Sequence, residues 1–148
     1  MIRRVALVLA SCAIVSGCAG DQGLGRDIQA AVAAAEDSGA VLDLDEVVDG
    51  DWDRLTFVCP YEDADRVAEH LGFEWDDFPG EDSTEGWVLY VFSTADEVVA
   101  WAQVDRPDGD ACTGDLPAVV DRADARFTVV QGDETTGGDP FLELHRAA

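Results

Sequence analysis

Three aspartates around Gly109 are the side chains of this chain that could most simply bind a cation. Asp105, Asp108 and Asp110 fall within one short loop, and carboxylate oxygens are the ligands that Ca²⁺ prefers. The loop therefore predicts a weak calcium site, with a solvated acidic loop as the simpler interpretation. The alternating aspartates of residues 49–53 open like an EF-hand loop, but the residues that follow lack the Gly and the bidentate Glu that such a loop requires.

Two histidines could serve acid–base chemistry. His70 lies beside Glu69, and His145 lies close to Glu143. No Gly-x-Ser-x-Gly sequence marks a nucleophile for either of them. A pair of carboxylates could also serve a hydrolase, but among 32 acidic residues some close pair is inevitable. We therefore expect no catalytic residue and no cofactor, and an envelope hydrolase stays an alternative.

An aromatic pair in a polar segment is the candidate ligand surface. Trp75 and Phe78 lie within residues 73–85, next to two aspartates. A tryptophan on a strand usually belongs to the core, whereas one in a polar loop can present its ring to a ligand. If the protein binds a ligand, we expect it at Trp75 and Phe78.

Residues 1–17 have the pattern of a secretory signal peptide. Arg3 and Arg4 precede an apolar run over residues 5–15, and the small residues Ser16 and Gly17 follow it. A transmembrane anchor needs roughly 20 apolar residues, so the run is too short to span a bilayer. An ordinary signal peptide would leave the next residue, a cysteine, without a purpose.

The sequence Val15-Ser16-Gly17-Cys18 resembles the lipobox of bacterial lipoproteins. The resemblance implies cleavage before Cys18, a thioether-linked diacylglycerol on its sulfur, and fatty acids such as palmitate. It places the protein at the outer face of the cytoplasmic membrane, with residues 18–25 as lipidated cysteine and short tether. A second match that ends at Cys12 would leave an apolar region below the roughly seven residues that a signal needs.

Cys59 and Cys112 remain in the exported part. An even number of cysteines in an oxidising compartment predicts a disulfide, with two unpaired buried thiols as the alternative. A zinc site is disfavoured because no His or Cys at close spacing would supply four ligands. We expect the two cysteines to stabilise the fold.

The charge of the exported chain limits its partners. Removal of residues 1–17 leaves seven of the nine basic residues against 32 acidic ones, a formal charge of −25. Nucleic acids and anionic lipid headgroups are bound through Lys and Arg, so this surface would repel both. We expect membrane contact through the lipid on Cys18 and an envelope protein as the partner class, with no nucleic acid.

The hydrophobic pattern predicts one α+β domain over residues 26–148. We expect helices at 26–37 and 63–71 and strands at 55–58, 87–92, 98–104, 127–130 and 141–144. Residues 41–48 could be extended or form a short turn, and residues 116–123 could hold a helical turn. This order predicts an antiparallel sheet of about five strands with the two helices packed on one face.

Part of the chain resembles an uncharacterised family of small bacterial envelope and lipoprotein domains. That family has a Trp-Asp pair, an apolar strand, a Pro-Tyr pair and a short helix that ends in Leu-Gly. The matching residues are Trp52, Asp53, Leu55, Phe57, Pro60, Tyr61, Leu71 and Gly72, and the likeness extends over residues 28–104. This chain departs from the pattern at Cys59 and Glu62, and the resemblance implies no activity.

These patterns together predict a lipid-anchored extracytoplasmic domain that acts as a non-catalytic interaction or accessory module. A small-ligand or Ca²⁺ receptor that uses the acidic loops is the first alternative. An envelope hydrolase is the second.

Overall fold

The elements of the fold are known from a computed structural model that describes residues 22–80, 86–132 and 141–148. Three helices are α1 (Gln22–Ser38), α2 (Leu44–Val47) and α3 (Ala64–Leu71). The strands are β1 (Leu42–Asp43), β2 (Arg54–Val58), β3 (Trp87–Ser93), β4 (Val98–Asp105), β5 (Val119–Asp121), β6 (Arg126–Gln131) and β7 (Leu142–Arg146). The predicted signal peptide and Cys18 lie outside the described residues.

The strands form two antiparallel sheets. The larger sheet has the order β4-β3-β2-β5, and the smaller has the order β1-β6-β7. The α+β class is therefore confirmed, with two sheets in place of the expected one. Residues 116–123, which could have held a helical turn, contain β5 and the first two residues of the 3₁₀ turn Arg122–Asp124. Residues 41–48 contain both of the expected conformations, as β1 and α2.

Strand β3 explains why both faces of the larger sheet are covered. Every residue from Val88 to Ser93 is buried, which is typical of a strand with protein on both sides. Val88, Tyr90 and Phe92 belong to the larger core, and the alternate residues Leu89 and Val91 belong to a second, smaller core.

Helix α1 closes the larger core, between the two sheets. It contacts β4 of one sheet and β6 of the other, and Ile28, Val32 and Ala35 form its buried face, as their spacing predicts. The helix begins at Gln22, four residues before the predicted start, so residues 22–25 belong to it and not to a tether. Gly25 is needed there, since a Cβ atom at this position would lie 2.7 Å from the carbonyl oxygen of Gln103.

Helix α3 covers the opposite face, in the smaller core. Val67 and Leu71 are its buried residues. The side chain of Asp63 caps its start by accepting from the Arg66 amide at 2.8 Å, and Gly72 ends it at φ 83°, as predicted. Helices α1 and α3 therefore lie on opposite faces of the larger sheet, not on one face. Strand β3 directs apolar side chains to both faces, and each helix covers one set of them.

The predicted disulfide is confirmed. Cys59, directly after β2, is bonded to Cys112 at a Cα–Cα distance of 5.8 Å. The bond connects the end of β2 to the loop that follows β4 and the 3₁₀ turn Arg106–Asp108. It lies next to the beginning of α3.

Candidate functional site

A groove of about 760 Å³ runs between α3 and the segment that follows it. This volume falls within the roughly 300–1,000 Å³ that is typical of ligand sites. Ala64, Val67 and Ala68 of α3 form one wall, and the aromatic side chains of Phe73, Trp75 and Phe78 line the other. We call this feature the α3 groove. It contains both residues of the predicted ligand surface.

Trp75 is fixed in the wall of the α3 groove. Its ring lies 5.5 Å from that of Trp101 in an edge-on arrangement and 5.7 Å from that of Phe78, centroid to centroid. Trp75 and Phe78 are partly buried against the smaller core, so Trp75 is less exposed than its polar sequence context suggests. Rigid aromatic side chains of this kind supply contact area at low entropic cost.

Acidic side chains surround the apolar walls. Asp65, Glu69, Glu74 and Asp76 all line the α3 groove and are all exposed. Arg66 lies 2.7 Å from Glu69, in an ion pair whose two side chains are 59% and 67% exposed. Arg66 offsets the charge of Glu69, whereas Asp65, Glu74 and Asp76 leave the groove with a net negative charge.

Tyr61 forms a second aromatic feature beside the same helix, and sequence reasoning did not assign it to a ligand surface. It is 77% exposed, and its φ of 70° is in the left-handed region. The amide of Glu62 donates to the carbonyl of Cys59 at 3.3 Å, so residues 59–62 form a β-turn in which Tyr61 occupies a position that favours Gly or Asn. The Pro-Tyr pair was the available signal, since Pro is common at the preceding turn position.

The Tyr61 turn is fastened to α3. A carboxylate oxygen of Glu62 accepts from the Cys59 amide at 2.6 Å, and its other oxygen lies 2.8 Å from Nε2 of His70. A shallow recess of about 470 Å³ extends from Tyr61 to Arg66, and Asp65 and Glu69 line both this recess and the α3 groove. The two features are therefore neighbours that share one acidic ridge.

Two aspartates of the predicted calcium loop have partners within the protein. The part of the chain that the structure describes contains no group of three acidic, His or Cys side chains that could hold a metal ion. Asp110 is fully buried, and its Oδ2 accepts from Nε of Arg106 at 3.0 Å and lies 2.8 Å from Nη2. Asp108 accepts from the amide of Gln29 at 3.3 Å. The charge of Asp110 is thus neutralised within the protein.

The buried residue Tyr90, near Asp110, also has a structural role. The buried hydroxyl of Tyr90 donates to the carbonyl of Gly109 at 2.9 Å. Burial, and secondarily the charge of Asp110, raise the pKa of Tyr90 above its ordinary value. The hydroxyl therefore remains protonated and keeps this hydrogen bond.

The histidines lie in separate places. His70 contacts Glu62, as described, and His145 lies 3.4 Å from Glu143 on the smaller sheet. Glu69, the acid beside His70 in the sequence, pairs with Arg66 instead, so the carboxylate that His70 contacts is that of Glu62. Each histidine therefore contacts a carboxylate, and among the described residues neither of these contacts involves a nucleophilic side chain.

A cavity of about 220 Å³ lies where β5 approaches the smaller sheet. Leu116, Pro117 and Phe127 line it, and Arg146 and Asp124, 3.3 Å apart, lie at it as an ion pair. It is smaller than the roughly 300 Å³ at which ligand sites usually begin. The α3 groove is therefore the stronger candidate.

Comparisons of the chain with models of protein families, with curated proteins and with solved structures return no match. None of the helices in residues 22–148 that the structure describes is long and apolar enough to cross a membrane.

Proposed function

We propose that this protein is a lipid-anchored extracytoplasmic module of the cell envelope that binds a protein partner, without catalysis, through the α3 groove. The observation that carries the proposal is the groove itself. Its lining brings the aromatic side chains of Trp75 and Phe78 together with the small side chains of Ala64 and Ala68 in one open groove. Buried aromatic anchors in apolar recesses dominate the energetics of protein interfaces.

The resemblance of residues 15–18 to a lipobox supports the anchorage. Cleavage before Cys18 and its lipidation would hold the domain close to the membrane, since three residues in the sequence separate Cys18 from Gln22 of α1. The disulfide between Cys59 and Cys112 supports an oxidising compartment outside the cytosol. Intact-mass spectrometry of protein from its own bacterium tests this part. A chain that begins at an unmodified Cys18, or at another residue, would contradict it.

Site-specific photo-crosslinking tests the interface. A crosslinking residue in place of Ala68, on the wall of the α3 groove, should give a discrete adduct in intact cells. The same residue in place of Val130, which is 41% exposed on β6, should not. Trp75→Ala should abolish the adduct at position 68, because it removes the aromatic wall. An adduct that survives Trp75→Ala, or none at all, would refute the groove as the interface.

A further inference from the structure

The surface around α3 combines apolar recesses with negatively charged side chains. Asp65 and Glu69 are four residues apart on the helix and form the ridge between the Tyr61 recess and the α3 groove. Glu74 and Asp76 line the groove as well. Among the described residues that line either feature, Arg66 is the one arginine, and it is already paired with Glu69.

We infer that the α3 groove and the Tyr61 recess together bind a basic amphipathic segment of the protein partner. Its apolar side chains would enter the groove beside Trp75, and its Lys or Arg side chains would lie along the ridge of Asp65 and Glu69. This inference rests on the proposed function and adds the chemistry of the partner. Opposite charges steer such a segment to the ridge and raise its association rate.

The exposed ring of Tyr61 fits the same partner. A bulky residue at positive φ is an outlier, and strained residues of this kind persist only where the surrounding structure holds them. Here the left-handed backbone of Tyr61 places its aromatic ring in solvent, at the edge of the acidic ridge. A guanidinium or ammonium group is attracted to such a face.

Other partner classes fit the surface less well. Anionic lipid headgroups and nucleic acids would meet the carboxylates of Asp65, Glu69, Glu74 and Asp76 and be repelled. An acidic or purely apolar segment would offer no counter-charge to Asp65, Glu74 and Asp76, and Glu69 would keep Arg66 as its partner. A basic amphipathic segment matches both the apolar walls and the charge of the ridge.

Three synthetic peptides of about four helical turns test the inference. The first is an amphipathic Lys–Leu peptide, the second has Glu in place of every Lys, and the third keeps the Lys residues but has Ser in place of Leu. Binding is measured by titration calorimetry and by amide chemical shifts of the full chain with Cys18→Ser, which removes the lipid. We expect the Lys–Leu peptide alone to bind, with shifts at Ala64 and Ala68, and more weakly as salt is raised.

Four variants test the contacts. Trp75→Ala should weaken binding of the Lys–Leu peptide by about tenfold or more, and the double variant Asp65→Asn, Glu69→Gln by about fivefold at low salt. The matched control Asp49→Asn, Asp51→Asn removes the same charge from an exposed turn outside the groove and should leave binding unchanged. If Trp75→Ala fails to fold, Ala68→Lys places a cation in the groove and should abolish binding.

Tyr61→Gly separates a binding role from a structural one. Gly is the residue that the turn position favours, so the melting temperature should stay the same or rise. Affinity for the Lys–Leu peptide should fall by about threefold or more if Tyr61 contacts it. Unchanged affinity would remove Tyr61 from the binding surface and contradict that part of the inference.

The outcomes also separate the inference from the proposed function. Equal binding of the Glu–Leu peptide, equal binding of the Lys–Ser peptide, or no binding of any peptide would each overturn the basic amphipathic partner. If the photo-adduct at position 68 still forms in cells, the groove binds a partner of other chemistry. If that adduct is absent, the proposed function fails with it.

Discussion

The buried carboxylate of Asp110 gives the sharpest prediction about stability. It is fully inaccessible and touches two nitrogens of the Arg106 guanidinium. Arg106→Met keeps much of the apolar stem but leaves the carboxylate without this cation. Breaking a buried ion pair from one side costs about 3–5 kcal/mol. Arg106 retains 30% of its side-chain exposure, and the Cys112 amide still donates to Asp110 at 2.8 Å, so we expect about 3 kcal/mol.

Urea unfolding of the disulfide-bonded protein, followed by tryptophan fluorescence, measures this loss. Arg146→Met is the matched control, because Arg146 and Asp124 are 62% and 55% exposed and such a pair contributes about 0–1 kcal/mol. Adding Asp110→Asn to Arg106→Met should restore part of the stability, since a neutral amide needs no cation. The reasoning is refuted if Arg106→Met costs no more than Arg146→Met.

Three further changes have expected effects on stability. Gly25→Ala should cost about 1–3 kcal/mol, because its Cβ would collide with the carbonyl of Gln103, whereas Gly86→Ala, which meets nothing within 4 Å, should cost less in the same thermal scan. Thr56→Val should stabilise the protein by about 1 kcal/mol and raise its melting temperature by about 4 °C, since the buried Thr56 hydroxyl has no partner among the described residues. Reducing the disulfide, which spans 53 residues, should cost about 4 kcal/mol, measured as a lower urea midpoint.

Long strands and helices were predictable because their patterns extend over many residues. The apolar run of β3 and its hairpin with β4 have the predicted order and pairing. The capped helix α3 ends at the predicted Gly72. Local sequence determines these elements, since strand propensity and capping act within a few residues.

The division into two sheets was not predictable from the chain. Strand β1 has two residues and β5 has three, which is too short for an alternating pattern to stand out. Their conformation depends on partners elsewhere, β6 for the first and β2 for the second. Pairing with distant strands therefore determined the conformation of β1 and β5, which local strand propensity did not specify.

The candidate groove contains the aromatic pair that the sequence singled out. Trp75 and Phe78 stood out because they are large aromatic side chains in a polar segment, and both line the α3 groove. The wall of α3 was missed because its small alanines have no chemical signature. The spacing of Asp110 in the acidic loop was visible in the sequence, whereas its burial beside Arg106 was not.

Cys59 and Glu62 both hold the Tyr61 turn in place. Cys59 ties one end of the turn covalently to Cys112, and Glu62 ties the other end to the Cys59 amide and to His70 of α3. Rigid presentation lowers the entropic cost of binding. The disulfide therefore constrains the turn that carries Tyr61 as well as stabilising the fold, and this rigidity would favour binding if Tyr61 contacts the proposed partner.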